Sequence, residues 1–133
     1  MLPFSTGLET MSIPIDLRIG FPETRLNMNP SIRNLFADIP VSSGAEESLT
    51  LMQSDHVLVE RIVSHGQHSP PDFWYDQPED EWVVLLRGTA ILQFADGSAV
   101  GMKPGDSLLI GRHVKHRVEE ASPDAMWVAV HQR

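Results

Sequence analysis

The chain contains no cysteine, which excludes disulfides and thiolate metal sites alike and fits a reducing cytoplasm. No run approaches the roughly 18 consecutive apolar residues of a membrane-spanning helix. The opening MLPFSTGLETMSIPIDLRIG has neither the basic start nor the long apolar stretch of a secretory signal. Basic residues are few: 10 Lys and Arg stand against 18 Asp and Glu, a formal net charge of −8. So acidic a chain offers no basic face to a phosphate backbone, so neither nucleic acid nor a membrane is an expected partner. Internal repeats and low-complexity tracts are missing as well. A cytoplasmic protein is the expectation, and its 133 residues argue for one domain and suffice to bury a core.

Proline is what the N-terminal part does have. Pro3, Pro14, Pro22 and Pro30 interrupt every apolar run, and no helical period survives between them. Residues 1–30 therefore read as an extended arm, disordered or laid across another surface, ahead of a single domain over residues 31–133. The stretch NPSIRNLFADIP has room for one short helical turn after Ser31, stopped by Pro40.

From residue 49 the pattern is β. SLTLMQS, HVLVERIVS, EWVVLLRG, TAILQFA, DSLLIG, KHRVEE and AMWVAVH have strand lengths and strand composition. Asp96-Gly97 marks a tight hairpin, and Pro104-Gly105 suits a type II turn. Turn signals recur every eight to twelve residues or so with no long helical pattern between them, which predicts an all-β sandwich or barrel.

Strand parity then selects candidate site residues, because alternate side chains face opposite sides. Glu81, Val83, Leu85 and Arg87 share one face of EWVVLLRG; Trp82, Val84 and Leu86 share the other. Both faces are apolar in the middle, so the strand is expected to be covered on both sides, by the arm, another sheet or a second subunit. A homodimer follows as an expectation. If the Glu81 face is the barrel interior, Glu81 is a carboxylate at the edge of an apolar cavity, where it picks up a proton or finds a cation. Its bland alternative is a solvated acid in the cluster Asp76, Glu79, Asp80 and Glu81. His116 shares a face with Val118, so an inward Glu and an inward His from two strands can share a metal ion. Tyr75 carries a hydroxyl within reach of a site near Asp76. Arg87 lies at the far end of the Glu81 face. His65 and His68 flank Gly66 ahead of Pro70-Pro71 and read as surface loop histidines, and His113 as a loop residue near the cavity mouth.

Two of these segments together resemble the cupin family. Glu81 through Gly88, EWVVLLRG, is similar to the end of the first cupin motif, and KPGDSLLIGRHVKHRV is similar to the second, with His116 in the metal-ligand position. The resemblance covers about residues 49–131 and implies a double-stranded β-helix, or jelly-roll barrel, with a divalent ion inside. It places the two usual histidines of the first motif at Trp74 and Asp76, or with shorter spacing at Tyr75 and Gln77; none of these is histidine. The implied ligand set is Asp76, Glu81 and His116, with Gln77 replacing Asp76 under the shorter spacing. One imidazole and two carboxylates form an oxygen-rich set suited to Mn²⁺ or Mg²⁺, with Zn²⁺, Ni²⁺ or Fe²⁺ open. The function implied is action on a small polar organic molecule, Glu81 and Tyr75 being the candidate catalytic groups. A non-catalytic binding or sensory protein and a structural dimer module are the alternatives.

Overall fold

The computed structural model describes residues 30–41 and 44–133. The expected arm, apart from Pro30, lies outside them. Eight strands follow: β1 (Glu47–Gln53), β2 (Val57–Val63), β3 (Asp80–Arg87), β4 (Ala90–Phe94), β5 (Ala99–Met102), β6 (Ser107–Ile110), β7 (His116–Ala121) and β8 (Met126–Gln132). They form two antiparallel sheets, a five-stranded one in the order β1-β2-β8-β3-β6 and a three-stranded one in the order β5-β4-β7. This is the all-β sandwich or barrel that the turn spacing predicts, in the jelly-roll form that the resemblance implies. Among the described residues no helix is long and apolar enough to cross a membrane.

The turn chemistry fixes the connections. Lys103 O accepts from Asp106 N at 2.9 Å across Pro104-Gly105, and Gly105 has φ +93°, which the third position of a type II turn requires. The β4–β5 hairpin closes with Gly97 N donating to Phe94 O at 2.9 Å, while Asp96 Oδ1 takes the Ser98 amide at 2.8 Å. Strand β5, with the undistinguished sequence AVGM, was not singled out as a strand by its composition; it exists because β4 supplies a partner along its whole length. The helical turn expected after Ser31 is a correction. Asn34 instead caps an isolated turn: its Oδ1 accepts from Phe36 N at 2.7 Å and its carbonyl from Ala37 N at 3.0 Å, and Asp38 at φ +53° ends it. An asparagine side chain that bonds its own backbone competes with helix propagation.

Alternation builds the core. Ile62, Trp127 and Leu85 are cross-strand partners on β2, β8 and β3, and all three are fully buried. Leu92, Val118 and Met102 meet them from the other sheet. Each fully buried side chain of this size contributes about 1.5–3 kcal/mol, so the lower half of the barrel is its stable part. Above it the inner face turns polar: Glu60, Glu81, His116 and His131 are all buried.

Among the described residues, the outer face of the large sheet is covered only at one end. There the segment around Leu35 crosses it, held by the Arg61 guanidinium, which donates to Leu35 O at 3.1 Å and Ala37 O at 3.0 Å. Phe36 lies under Arg87 at 5.6 Å. Val63 and Met126, which face outward by parity, are buried at this end. Farther along, Trp82 is 41% exposed. The inner face of β3 is thus covered as expected, and among the described residues the outer face is not.

Candidate functional site

Glu81 sits one residue inside β3, with Ile110 on β6 and His131 on β8 as cross-strand partners. It shares the inner face with Val83 and Leu85 and is fully buried. His116 opens β7 on the opposite sheet and is also buried. Its Nδ1–H donates to the Val114 carbonyl at 2.8 Å, which leaves Nε2 as the atom with a lone pair. That Nε2 faces Glu81 Oε1 at 3.8 Å. The gap is too long for a hydrogen bond, and short enough for one ligand atom to touch both groups. Burial pushes the imidazole toward its neutral form, while the Val114 carbonyl and the Glu81 charge push the other way.

Tyr75 positions this histidine. Tyr75 N donates to His116 O at 2.7 Å and His116 N to Tyr75 O at 3.1 Å, a single antiparallel bridge outside the sheets. The two rings stack with centroids 5.5 Å apart, and Phe73 packs edge-on against Tyr75 at 4.8 Å. Burial, then the Glu46 and Glu81 charges, push the phenol well above its ordinary value, against a hydrogen bond with Ser69 that lowers it. The hydroxyl therefore stays protonated at any physiological pH and serves as a donor.

Asp76 stands elsewhere. Its Oδ1 accepts from His113 Nδ1 at 2.8 Å, and the two side chains are 42% and 65% exposed. The reason is alternation: the bridge turns Tyr75 toward His116, so the next side chain turns outward. Gln77 accepts from His113 N through its carbonyl at 2.7 Å. His113 thus secures the loop before β7 against the segment before β3. His65 and His68 are loop residues as expected: the His65 amide donates to Gln67 Oε1 and His68 Nδ1 to Ser69 O. Arg87 closes the far end of the barrel through Asp124 O at 3.1 Å.

Two inward groups escaped the sequence reading. His131 Nε2 and Glu60 Oε2 lie 3.0 Å apart, both buried. Glu60 alternates with Leu58 and Ile62, and His131 with Ala129 and Trp127, so parity applied to every acid and histidine finds both. Glu46 is a third. Ser64 Oγ donates to its carboxylate at 2.8 Å, and burial raises its pKa against that bond. Glu46, Gln67, His68, Ser69, Pro70, Tyr75 and Val118 line a small cavity of about 70 Å³ beside the Tyr75 hydroxyl.

A catalytic divalent ion takes three protein ligands and keeps a position open. Among the described residues no three His, Asp or Glu side chains converge in that way. Glu81 and His116 supply two donors, and the third that the resemblance assigns, Asp76, is engaged by His113. The described donor set does not fit the three-ligand centre of Asp76, Glu81 and His116 that the resemblance implies.

The family model described as a cupin domain matches residues 59–131. Among solved structures, the chain is 42% identical to a protein from Ralstonia eutropha JMP134 provisionally named a mannose-6-phosphate isomerase; 77% of this chain and 98% of that one align, with a TM-score of 0.73. A cupin superfamily protein from Desulfitobacterium hafniense DCB-2 is 20% identical over 80% of this chain and 94% of its own, with a TM-score of 0.64. An RmlC-like cupin protein from Desulfovibrio desulfuricans is 14% identical over 78% and 97%, also at 0.64. These last two share the fold. No curated protein matches the chain.

Proposed function

The chain belongs to the cupin domain family, and from that premise we propose that it takes a small polar organic molecule into its barrel and moves a proton on it, with Glu81 and His116 as the acid–base pair. The observation that carries this reading is the approach of a buried carboxylate and a buried imidazole Nε2 to 3.8 Å from opposite sheets. A carboxylate and a neutral imidazole so placed can take a proton from one atom of a bound molecule and return it to the next. Tyr75, held protonated, donates to an oxygen on the same molecule. Val114 and the Tyr75 bridge hold the imidazole in the tautomer and orientation this needs.

The name of the 42%-identical relative suggests the first molecule to try. Interconversion of an aldose and a ketose phosphate moves a proton between adjacent carbons, the kind of step an acid–base pair serves. The test is conversion of mannose 6-phosphate to fructose 6-phosphate by protein treated with chelator. Conversion is expected to survive chelation and to fall about 100-fold in Glu81→Gln and in His116→Asn, the lower end of what a general acid or base contributes. Absence of conversion by the native chain removes this substrate. Binding without conversion, lost in both variants, supports the non-catalytic cupin instead.

The divalent-ion reading, with Mn, Zn, Ni or Fe held by Glu81, His116 and a third donor, makes a different prediction. Elemental analysis of untagged protein separates the two. With two convergent donors among the described residues, the expected metal content is well below one equivalent. Stoichiometric metal that disappears in both Glu81→Ala and His116→Ala returns the function to a metal centre.

A further inference from the structure

Two acids at the entrance to β3 grip the loop between β6 and β7. Asp80 Oδ1 accepts from Arg112 N at 2.8 Å, and its Oδ2 lies 3.5 Å from the Arg112 guanidinium. Asp76 Oδ1 accepts from His113 Nδ1 at 2.8 Å, and Gln77 O from His113 N at 2.7 Å. His113 has φ +62°, a left-handed conformation that a residue with a β-carbon keeps only when its surroundings hold it there. Val114 follows. Its amide donates to Gly111 O at 3.1 Å, and its carbonyl takes the Nδ1–H of His116 at 2.8 Å. A partly exposed carboxylate is thus linked through His113 and Val114 to the buried imidazole of the barrel.

We propose that Asp76 is a positioning residue for His116: by holding His113 it holds the Val114 carbonyl, and that carbonyl keeps the single proton of the neutral imidazole on Nδ1. Two acceptors face the ring, Val114 O at 2.8 Å from Nδ1 and Glu81 Oε1 at 3.8 Å from Nε2. A neutral imidazole has one N–H to give. Phe94 on β4 pairs with the backbone of His116, and Tyr75 stacks on the ring and sets its plane, but neither contact reaches a ring nitrogen. The choice therefore belongs to the Val114 carbonyl, and so to the loop that carries it. With the loop released, the Glu81 charge draws the proton to Nε2. Nε2 then meets Glu81 as a donor, and the lone pair facing the position the two groups share is gone. Asp76 stands where the resemblance expects a ligand histidine, and it acts on His116 from the surface instead of beside it in the barrel.

The proposal rests on His116 as half of the acid–base pair. Its test needs no substrate, so a negative result is distinct from a failure to convert mannose 6-phosphate. Long-range proton–nitrogen correlation spectra of the histidine rings read which nitrogen carries the proton. They are recorded at about pH 8, above the ordinary histidine pKa of about 6.5, and His116→Asn identifies the His116 signals. In the native chain the proton is expected on Nδ1. Asp76→Ala should shift the ratio of the two tautomers towards Nε2–H by roughly 5-fold, the worth of one hydrogen bond. The melting profile is expected to stay native, because Asp76 is 42% exposed. Asp76→Asn keeps an acceptor for His113 Nδ1 and should restore the native ratio. His113→Gly reaches the same point by a second route: glycine takes the positive φ without strain and keeps the amide bond to Gln77 O, but loses the clasp to Asp76. It should shift the ratio as Asp76→Ala does. A native chain protonated on Nε2 overturns the proposal, and so does a native ratio in a folded Asp76→Ala or His113→Gly.

Discussion

Replacing Glu60 with leucine should destabilise the fold by about 3 kcal/mol, the upper end of what leaving a buried polar partner unsatisfied costs. Glu60 lies on the inner face of β2 with its Oε2 3.0 Å from His131 Nε2, and both residues are buried. Leucine fills much of the same space, so the loss is electrostatic rather than a cavity. His131 is directly opposite Glu81 across β8 and β3, so the same substitution disturbs the upper barrel where the acid–base pair sits. For a chain of this size the melting temperature is expected to fall on the order of 10 °C. The double replacement Glu60→Leu with His131→Met should recover most of that, because two apolar groups of similar volume leave no polar atom of the pair behind. Urea unfolding of the two singles and the double gives the coupling directly. A double variant no more stable than the sum of the singles means that the pair does not act as one unit.

Much of this architecture is legible in the strand alternation. Glu81 in EWVVLLRG and His116 in KHRVEE each stand in phase with the apolar residue two places on, and these are the two that meet across the sheets. The same rule applied to HVLVERIVS and AMWVAVH reaches Glu60 and His131; what hid Glu60 is that Glu-Arg in mid-strand reads as a solvated pair unless its phase with Leu58 and Ile62 is checked. Asp76 was less legible for a physical reason. It lies in a loop, where no period relates neighbouring side chains, and the bridge from Tyr75 to His116 that sets its direction joins residues 41 positions apart. The segment departs from the helical turn that Ser31 and Pro40 bracket because the Asn34 side chain closes the turn on itself. Of the cover expected on both faces of β3, the described residues supply that of the inner face, and Trp82 on the outer face is 41% exposed.

Gly88→Ala should cost at least 3 kcal/mol, although it adds one methyl group. Gly88 ends β3 at φ +83°, a left-handed conformation that alone costs an L-residue about 1–2 kcal/mol. Space adds the rest. A β-carbon there meets Ser122 Oγ, with Ala125 Cα 2.8 Å away and Asp124 Oδ1 2.9 Å away. Ala125 is fully buried and its contact is backbone, so it cannot rotate aside. Ser122 is no freer: its Oγ accepts from Thr89 N at 2.9 Å and donates to Asp124 Oδ1 at 2.8 Å, and its amide donates to Thr89 O at 2.9 Å. The β3–β4 corner and the β7–β8 turn are therefore clasped through the site where glycine has no side chain. Gly97→Ala is the matched control. Gly97 has φ +96°, but nothing lies within 4 Å of the added carbon, so only the conformational cost of about 1 kcal/mol remains. The difference between the two variants in urea unfolding isolates the close approach from the dihedral. Equal losses at the two sites would show that the clasp relaxes around a methyl group and that the left-handed conformation alone requires glycine at the end of β3.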